Sequence, residues 1–300
     1  MLVLEPIRHD TIWGGPRIAR LTGVEGEQIG HLYSVFCREG ISNRILNGQW
    51  KGMTLNEVFP LWRADFQMEK YGYFPLTLAL TEADEHLSIQ VHPDDATANA
   101  LEHLSRGKRE SWYFLEPPAG GYIYNGCLCE NEAQRDQMLG QGRYLDMTDK
   151  LPIQAGDYVF VEPGTLHSIA AGSLVYEIEE GADFTYRFYD FDRVDAEGNR
   201  RELHVEKASA ALRIHQKSTV RHYRGTDWLE EATYATRKLE RVTRYSNDSS
   251  TLQCFTLIRG HGMCDGVGLC PGMTVILWPG EEISGAEIDL AFVSKLKEGV

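Results

Sequence analysis

Short runs of β-branched and aromatic residues, each closed by Gly, Pro, Asp or Asn, recur along most of this chain. They include 76–80, 87–91, 111–115, 121–124, 158–161, 174–178, 185–189, 255–258 and 273–277. Turn chemistry sits between them at Pro117-Pro118-Ala119-Gly120-Gly121, Ala155-Gly156-Asp157, Pro163-Gly164 and Ala196-Glu197-Gly198-Asn199. Runs this short and this closely punctuated leave little room for the crossover helices of βαβ units, so the pattern predicts a mainly β fold, a barrel or a sandwich. Helices are few. Thr54 starts one that reaches Phe66, Asp94-Asp95 opens one over 96–104, Asn131 caps one to about Leu139, and Glu206 to Ile214 forms a fourth. Arg259-Gly260-His261-Gly262 and the stretch from Cys264 to Pro271 read as hairpin turns. Polarity rises after His215. The expected division is therefore a larger domain over 1–220, carrying helical insertions, and a small β domain over 221–300.

Composition narrows the function. The formal net charge of −14 argues against nucleic acid, which demands clustered Lys and Arg, but leaves a small anionic substrate open. No apolar run is long enough to cross a bilayer, and the first residues do not read as a secretory leader. Six cysteines occur without a Cys-x-x-Cys pair, and free thiols of a cytoplasmic protein are expected.

Four stretches carry chemistry. In Leu87-Ser88-Ile89-Gln90-Val91-His92-Pro93, strand alternation places Ser88, Gln90 and His92 on one face, and Pro93 ends the strand. In Gly107-Lys108-Arg109-Glu110-Ser111-Trp112, the same alternation aligns Lys108, Glu110 and Trp112. An apolar strand from Gly156 enters Pro163-Gly164 and delivers His167 just beyond the turn. Two histidines, a carboxylate and a side-chain amide make a mixed nitrogen–oxygen donor set that suits zinc and also fits manganese, iron or cobalt. The fourth stretch, Tyr176 to Asp190, places Arg187 among aromatics on a strand, where a cation must meet an anion. Either a ligand or one of Asp183 and Asp190 can supply it.

Together with Ile12-Trp13-Gly14-Gly15, Tyr189-Asp190-Phe191-Asp192-Arg193 and Arg201-Glu202-Leu203-His204, these stretches resemble the type I phosphomannose isomerases in their short bacterial form. The resemblance runs in order through most of the chain up to Leu212. It implies a cupin, a jelly-roll β-barrel, holding one zinc per chain. The metal ligands would fall on Gln90, His92, Glu110 and His167, and the catalytic arginine on Arg187. Lys108 and Asp183 match positions near the substrate, and Ser88 matches a serine that holds the phosphate. The implied reaction interconverts mannose 6-phosphate and fructose 6-phosphate through a cis-enediol. Two positions depart from the pattern. Ala79 stands where a lysine is usual, and Glu179-Glu180 replace a Gln-Gln pair.

A lysine lying near a metal and an arginine is expected to have a lowered pKa, which would suit Lys108 for proton transfer. The departures keep two other readings in play: a cupin isomerase or epimerase of a different sugar, and a sugar-binding cupin without catalysis. Oligomeric state is not legible in the sequence.

Overall fold

The computed structural model describes residues 1–298. Gly299 and Val300, the end of the 221–300 domain expected above, lie outside the described residues. The chain is mainly β, as expected, and forms two compact units. One comprises Asp10–Gly15 and Thr81–Tyr223; the other comprises Met1–His9, Pro16–Leu80 and the chain from Arg224 onward. The expected boundary at 220/221 lies close to the change of unit at Tyr223/Arg224. Residues 16–80, however, group with the C-terminal part. The physical reason begins at the start of the chain, where Leu2–Leu4 pairs antiparallel with Thr274–Leu277 and seats Val3 opposite Val275.

The first unit carries every motif singled out for chemistry. Its strands are β1 (Ile89–Val91), β2 (Lys108–Glu116), β3 (Tyr122–Cys127), β4 (Thr148–Pro152), β5 (Asp157–Val161), β6 (His167–Ser168), β7 (Ser173–Gly181), β8 (Tyr186–Tyr189) and β9 (Val220–His222). Antiparallel pairing arranges them in two sheets, β4-β3-β6-β1-β8 and β9-β5-β2-β7. Apolar side chains of both, Ile123 from one and Trp112, Phe114, Val159, Val161 and Val175 from the other, share one buried cluster. The sheets therefore pack face to face, the double-sheet form of a jelly roll, and among the described residues neither closes into a hydrogen-bonded barrel. Each of these large side chains contributes about 2 kcal/mol by leaving water, which sets the sheet spacing firmly enough to hold polar groups between them.

The helices begin where their caps predict. In α1 (Asp95–Glu102) the Asp94 carboxylate accepts from the Thr97 amide at 2.8 Å, and His103 in the left-handed region ends the helix before Leu104. In α2 (Glu132–Gly140) Asn131 accepts from the Gln134 amide at 3.0 Å. The fourth expected helix is α3 (Val205–Ala211).

In the second unit, the helix expected from Thr54 runs over Leu55–Trp62 behind a Thr54–Glu57 capping box and tightens to a 3₁₀ turn over Arg63–Phe66. Its C-terminal sheet includes β10 (Tyr234–Ser246), β11 (Gln253–Cys264), β12 (Val267–Leu269), β13 (Thr274–Leu277) and β14 (Glu282–Leu296). Arg259 to Gly262 lies inside β11 and not in a turn. The pairing of β11 with β14 shifts register at Arg259/Gly260, and Gly260 has φ +118°, with the Glu287 carbonyl oxygen 2.2 Å from where a Cβ would stand. The glycine therefore marks a bulge, which a turn reading of Gly-rich sequence misplaces. The hairpin turn lies at Asp265-Gly266, both at positive φ.

Candidate metal centre and active site

Strand register brings residues distant in sequence into two facing rows. On the first sheet, Gln90 of β1 pairs directly with His167 of β6 on one side and Arg187 of β8 on the other. On the second, Glu110 of β2 pairs directly with Glu179 of β7. Residues in direct register share a face of the sheet, and His92 follows Gln90 by two positions onto that same face.

His92, Glu110 and His167 converge between the rows, all fully buried. His92 Nε2 lies 3.1 Å from one oxygen of Glu110, and His167 Nε2 lies 3.1 Å from the other. Each imidazole donates its other N–H to a backbone carbonyl: His92 Nδ1 to Phe184 at 2.5 Å, and His167 Nδ1 to Thr165 at 2.8 Å. Those bonds fix both tautomers, so that each Nε2 presents a lone pair to the carboxylate. Burial pushes the His92 pKa down to about 4 against the opposing pull of Glu110, so the ring is neutral near pH 7. Burial also opposes the charged form of Glu110, yet any proton on His92 or His167, together with the Lys108 ammonium, favours it and holds the carboxyl well below its ordinary range.

Lone pairs from three side chains thus point at one another without a proton between them. His92 Nε2 and Glu110 Oε1 find no hydrogen-bond partner among the described residues. Leaving such buried groups bare costs about 1–3 kcal/mol apiece. A cation removes that cost, and two neutral imidazoles with a carboxylate fit a borderline divalent metal well. The residues present therefore form a buried site able to hold a metal.

Gln90 stands beside it. Its amide donates to His167 Nε2 at 3.3 Å, and its carbonyl accepts from the Ser88 hydroxyl at 2.7 Å. A hydroxyl both donates and accepts, so Ser88 can hold this amide in either orientation. Ser88, matched by the resemblance to a phosphate-holding serine, is buried, and its hydroxyl reaches Gln90.

Lys108 is buried against carboxylates, with Nζ 2.6 Å from Glu179 and 3.6 Å from Glu110. Burial alone would lower its pKa, but Glu179, Glu110 and Asp183 overcome that and raise it well above the usual lysine value. These carboxylates act opposite to the expected lowering of the Lys108 pKa. That expectation counted the cations around Lys108 and missed the carboxylates of β7. Glu177 was also missed. Its oxygens accept from Trp112 Nε1 at 2.9 Å and Thr81 Oγ1 at 2.5 Å. The available signal was alternation in Glu177-Ile178-Glu179, two acids on one face of a strand otherwise too apolar to lie at the surface. Burial and the neighbouring carboxylates disfavour the charged form of Glu179, and the Lys108 ammonium 2.6 Å away opposes them as its ion-pair partner. Three carboxylates facing one ammonium form an excess of negative charge that a cation in the cage relieves.

Arg187 is half-buried, and its Nε has no hydrogen-bond partner among the described residues. Of the two internal anions its surroundings offered, Asp190 is held instead by Arg193 at 2.5 Å and by Arg201. Asp183 is exposed, on the loop whose Phe184 carbonyl accepts from His92. Ala79, the other departure noted in the sequence, is a buried residue of the strand Leu76–Ala83.

Residues 1–111 match the family model described as phosphomannose isomerase type I, catalytic domain. The mannose-6-phosphate isomerase of Streptococcus mutans is 35% identical over 216 residues, covering 71% of this chain and 68% of that protein. A mannose-6-phosphate isomerase of Bacillus subtilis is 32% identical over 232 residues, covering 76% and 74%. The crystal structure of the Bacillus subtilis mannose 6-phosphate isomerase superposes with a TM-score of 0.83 at 28% identity, over 98% of each chain. A solved structure from Archaeoglobus fulgidus, 16% identical with a TM-score of 0.77, shares the fold.

Proposed function

The chain belongs to the type I phosphomannose isomerase family, and from that premise we propose that it is a cytoplasmic zinc-dependent isomerase interconverting mannose 6-phosphate and fructose 6-phosphate. The observation that carries the reading is the meeting of His92, Glu110 and His167 around unsatisfied lone pairs, one strand position from Arg187.

His92, Glu110 and His167 would hold the metal, and Gln90 would join them through its amide oxygen in the flipped orientation that Ser88 also accommodates. A bound zinc supplies positive charge that polarises the sugar oxygens at C1 and C2. Converting an aldose to a ketose moves a proton between those carbons through a cis-enediol, and negative charge develops on the oxygens as it leaves. Arg187 provides a fixed positive charge for that enediolate. Its Nε–H has no hydrogen-bond partner among the described residues, and this leaves it available to an anion. Lys108, 2.6 Å from Glu179 and 3.6 Å from Glu110, is placed to hand over a proton or to stabilise charge beside the metal site. Asp183, exposed to solvent and close enough to act on both Lys108 and Arg187, is the group placed to exchange protons with solvent or substrate.

The test is metal analysis of the purified protein combined with a coupled isomerase assay before and after chelation. Near one zinc per chain, and turnover lost on chelation and restored by zinc, is the expected result. Full turnover in metal-free protein would refute the zinc reading. Metal binding without turnover of any hexose phosphate would refute the isomerase.

A further inference from the structure

Glu110 and Glu179 stand directly opposite each other across β2 and β7, inside the protein. Like charges in that relation repel unless a cation lies between them. Lys108 supplies it, in an ion pair whose side chains are only 6% and 12% exposed. The third nearby acid, Glu177, is occupied by Trp112 and Thr81. The trio Glu110, Glu177 and Glu179 could also be read as a second metal site. Lys108 already fills the space between two of its members, however, so its ammonium is the cation of that trio.

This arrangement bears on substrate charge. A phosphorylated sugar brings roughly two negative charges near neutral pH, whereas the free sugar brings none. The Glu179 carboxylate balances Lys108 internally, reducing the pull of the site on an anion while leaving a neutral sugar unaffected. We propose that Glu179 is a positioning residue that acts through Lys108: it fixes the ammonium beside Glu110 and sets how strongly the site prefers phosphorylated over unphosphorylated sugar. The proposal rests on the isomerase reading above and adds a specificity determinant to it.

The experiment compares native protein with Glu179→Gln and Glu179→Asp, measuring kcat and KM for mannose 6-phosphate and for mannose. Calorimetric Kd for mannose 6-phosphate is measured in parallel. In Glu179→Gln the neutral amide leaves the Lys108 charge unbalanced, so KM and Kd for mannose 6-phosphate fall by about tenfold while KM for mannose moves by less than about twofold. Turnover number falls for both sugars because Lys108 is no longer pinned. Glu179→Asp restores the native preference. A KM ratio and Kd in Glu179→Gln equal to those of the native protein overturn the proposal, whatever happens to kcat. A second reading needs no variant. By NMR of the native protein, the Lys108 ammonium protons exchange slowly with water, and exchange at the rate of a free lysine also overturns it. If the native protein isomerises no sugar, the function proposed above fails, while the Kd comparison still decides the role of Glu179.

Discussion

Gln90 and His167 face each other in a single antiparallel register pair, their Nε2 atoms 3.3 Å apart although 77 residues separate them in sequence. That pairing, continued to Arg187 on the other flank of β1, aligns an amide, an imidazole and a guanidinium in one row above Glu110.

Glu110 contributes one oxygen to each histidine, so Glu110→Gln removes the charge that holds the cage together. Metal affinity should fall by at least about a hundredfold, more than the loss of an outer-shell partner causes. Metal content after dialysis, measured by emission spectroscopy, checks this directly.

Metal binding also stabilises the fold. At a free zinc concentration about a hundred times Kd, the linkage contributes about 2.7 kcal/mol. The chelated protein should then melt about 5 °C lower than the zinc-loaded one. Equal melting temperatures with and without chelator would show that the cage is empty under those conditions.

Arg187 is half-buried with an uncommitted Nε, so its presence costs stability in the free protein. Arg187→Ala should lower turnover by about a hundredfold while leaving the melting temperature unchanged or higher. A variant that loses both would place Arg187 among the groups that hold the fold.

Asp190 anchors Arg193 and Arg201 just before Phe191 and Asp192, two residues at positive φ. Burial raises its pKa, but the two guanidinia prevail and hold it below the usual value. A depressed carboxyl contributes stability above its unfolded pKa and loses it as pH falls through the folded value. Native stability from this source is therefore present near pH 7 and fades on the acid side, below about pH 4. Asp190→Asn should cost about 3 kcal/mol near neutrality, because it removes the carboxylate shared by two partly buried arginines and leaves Arg193 only the exposed Glu85 and backbone carbonyls, and should flatten the acid limb of stability. Urea unfolding from pH 3 to pH 7 measures both effects.

Gly107 precedes β2 where a Cβ would come within 2.1 Å of the Pro93 carbonyl oxygen, one residue past His92. The obstruction is backbone, which cannot swing aside. Gly107→Ala should destabilise by about 1–3 kcal/mol and weaken metal binding along with it, because the displaced segment carries His92. Thermal melting and zinc titration of the same sample test the coupling.

Local chemistry made much of this chain legible in advance. Period-two alternation aligned Ser88, Gln90 and His92, and separately Lys108 and Glu110; Pro93 and Pro163-Gly164 fixed where strands stop; Asp94, Asn131 and Thr54 marked the helix starts they in fact cap. All of these are decided within a few residues, by sterics and by the nearest backbone donors. What local chemistry could not decide was pairing across the chain. Only the register of β2 with β7 put Glu179 against Lys108, a carboxylate that acts opposite to the expected lowering of its pKa. Only the fold gave Asp190 to Arg193 and Arg201, leaving Arg187 for an anion, and only the pairing of Leu2–Leu4 with β13 drew the N-terminal segment toward the C-terminal sheet. Charges interact through space with whatever the tertiary structure places beside them. The sequence therefore determined which groups the site contains, and the three-dimensional structure decided which of them neutralise one another.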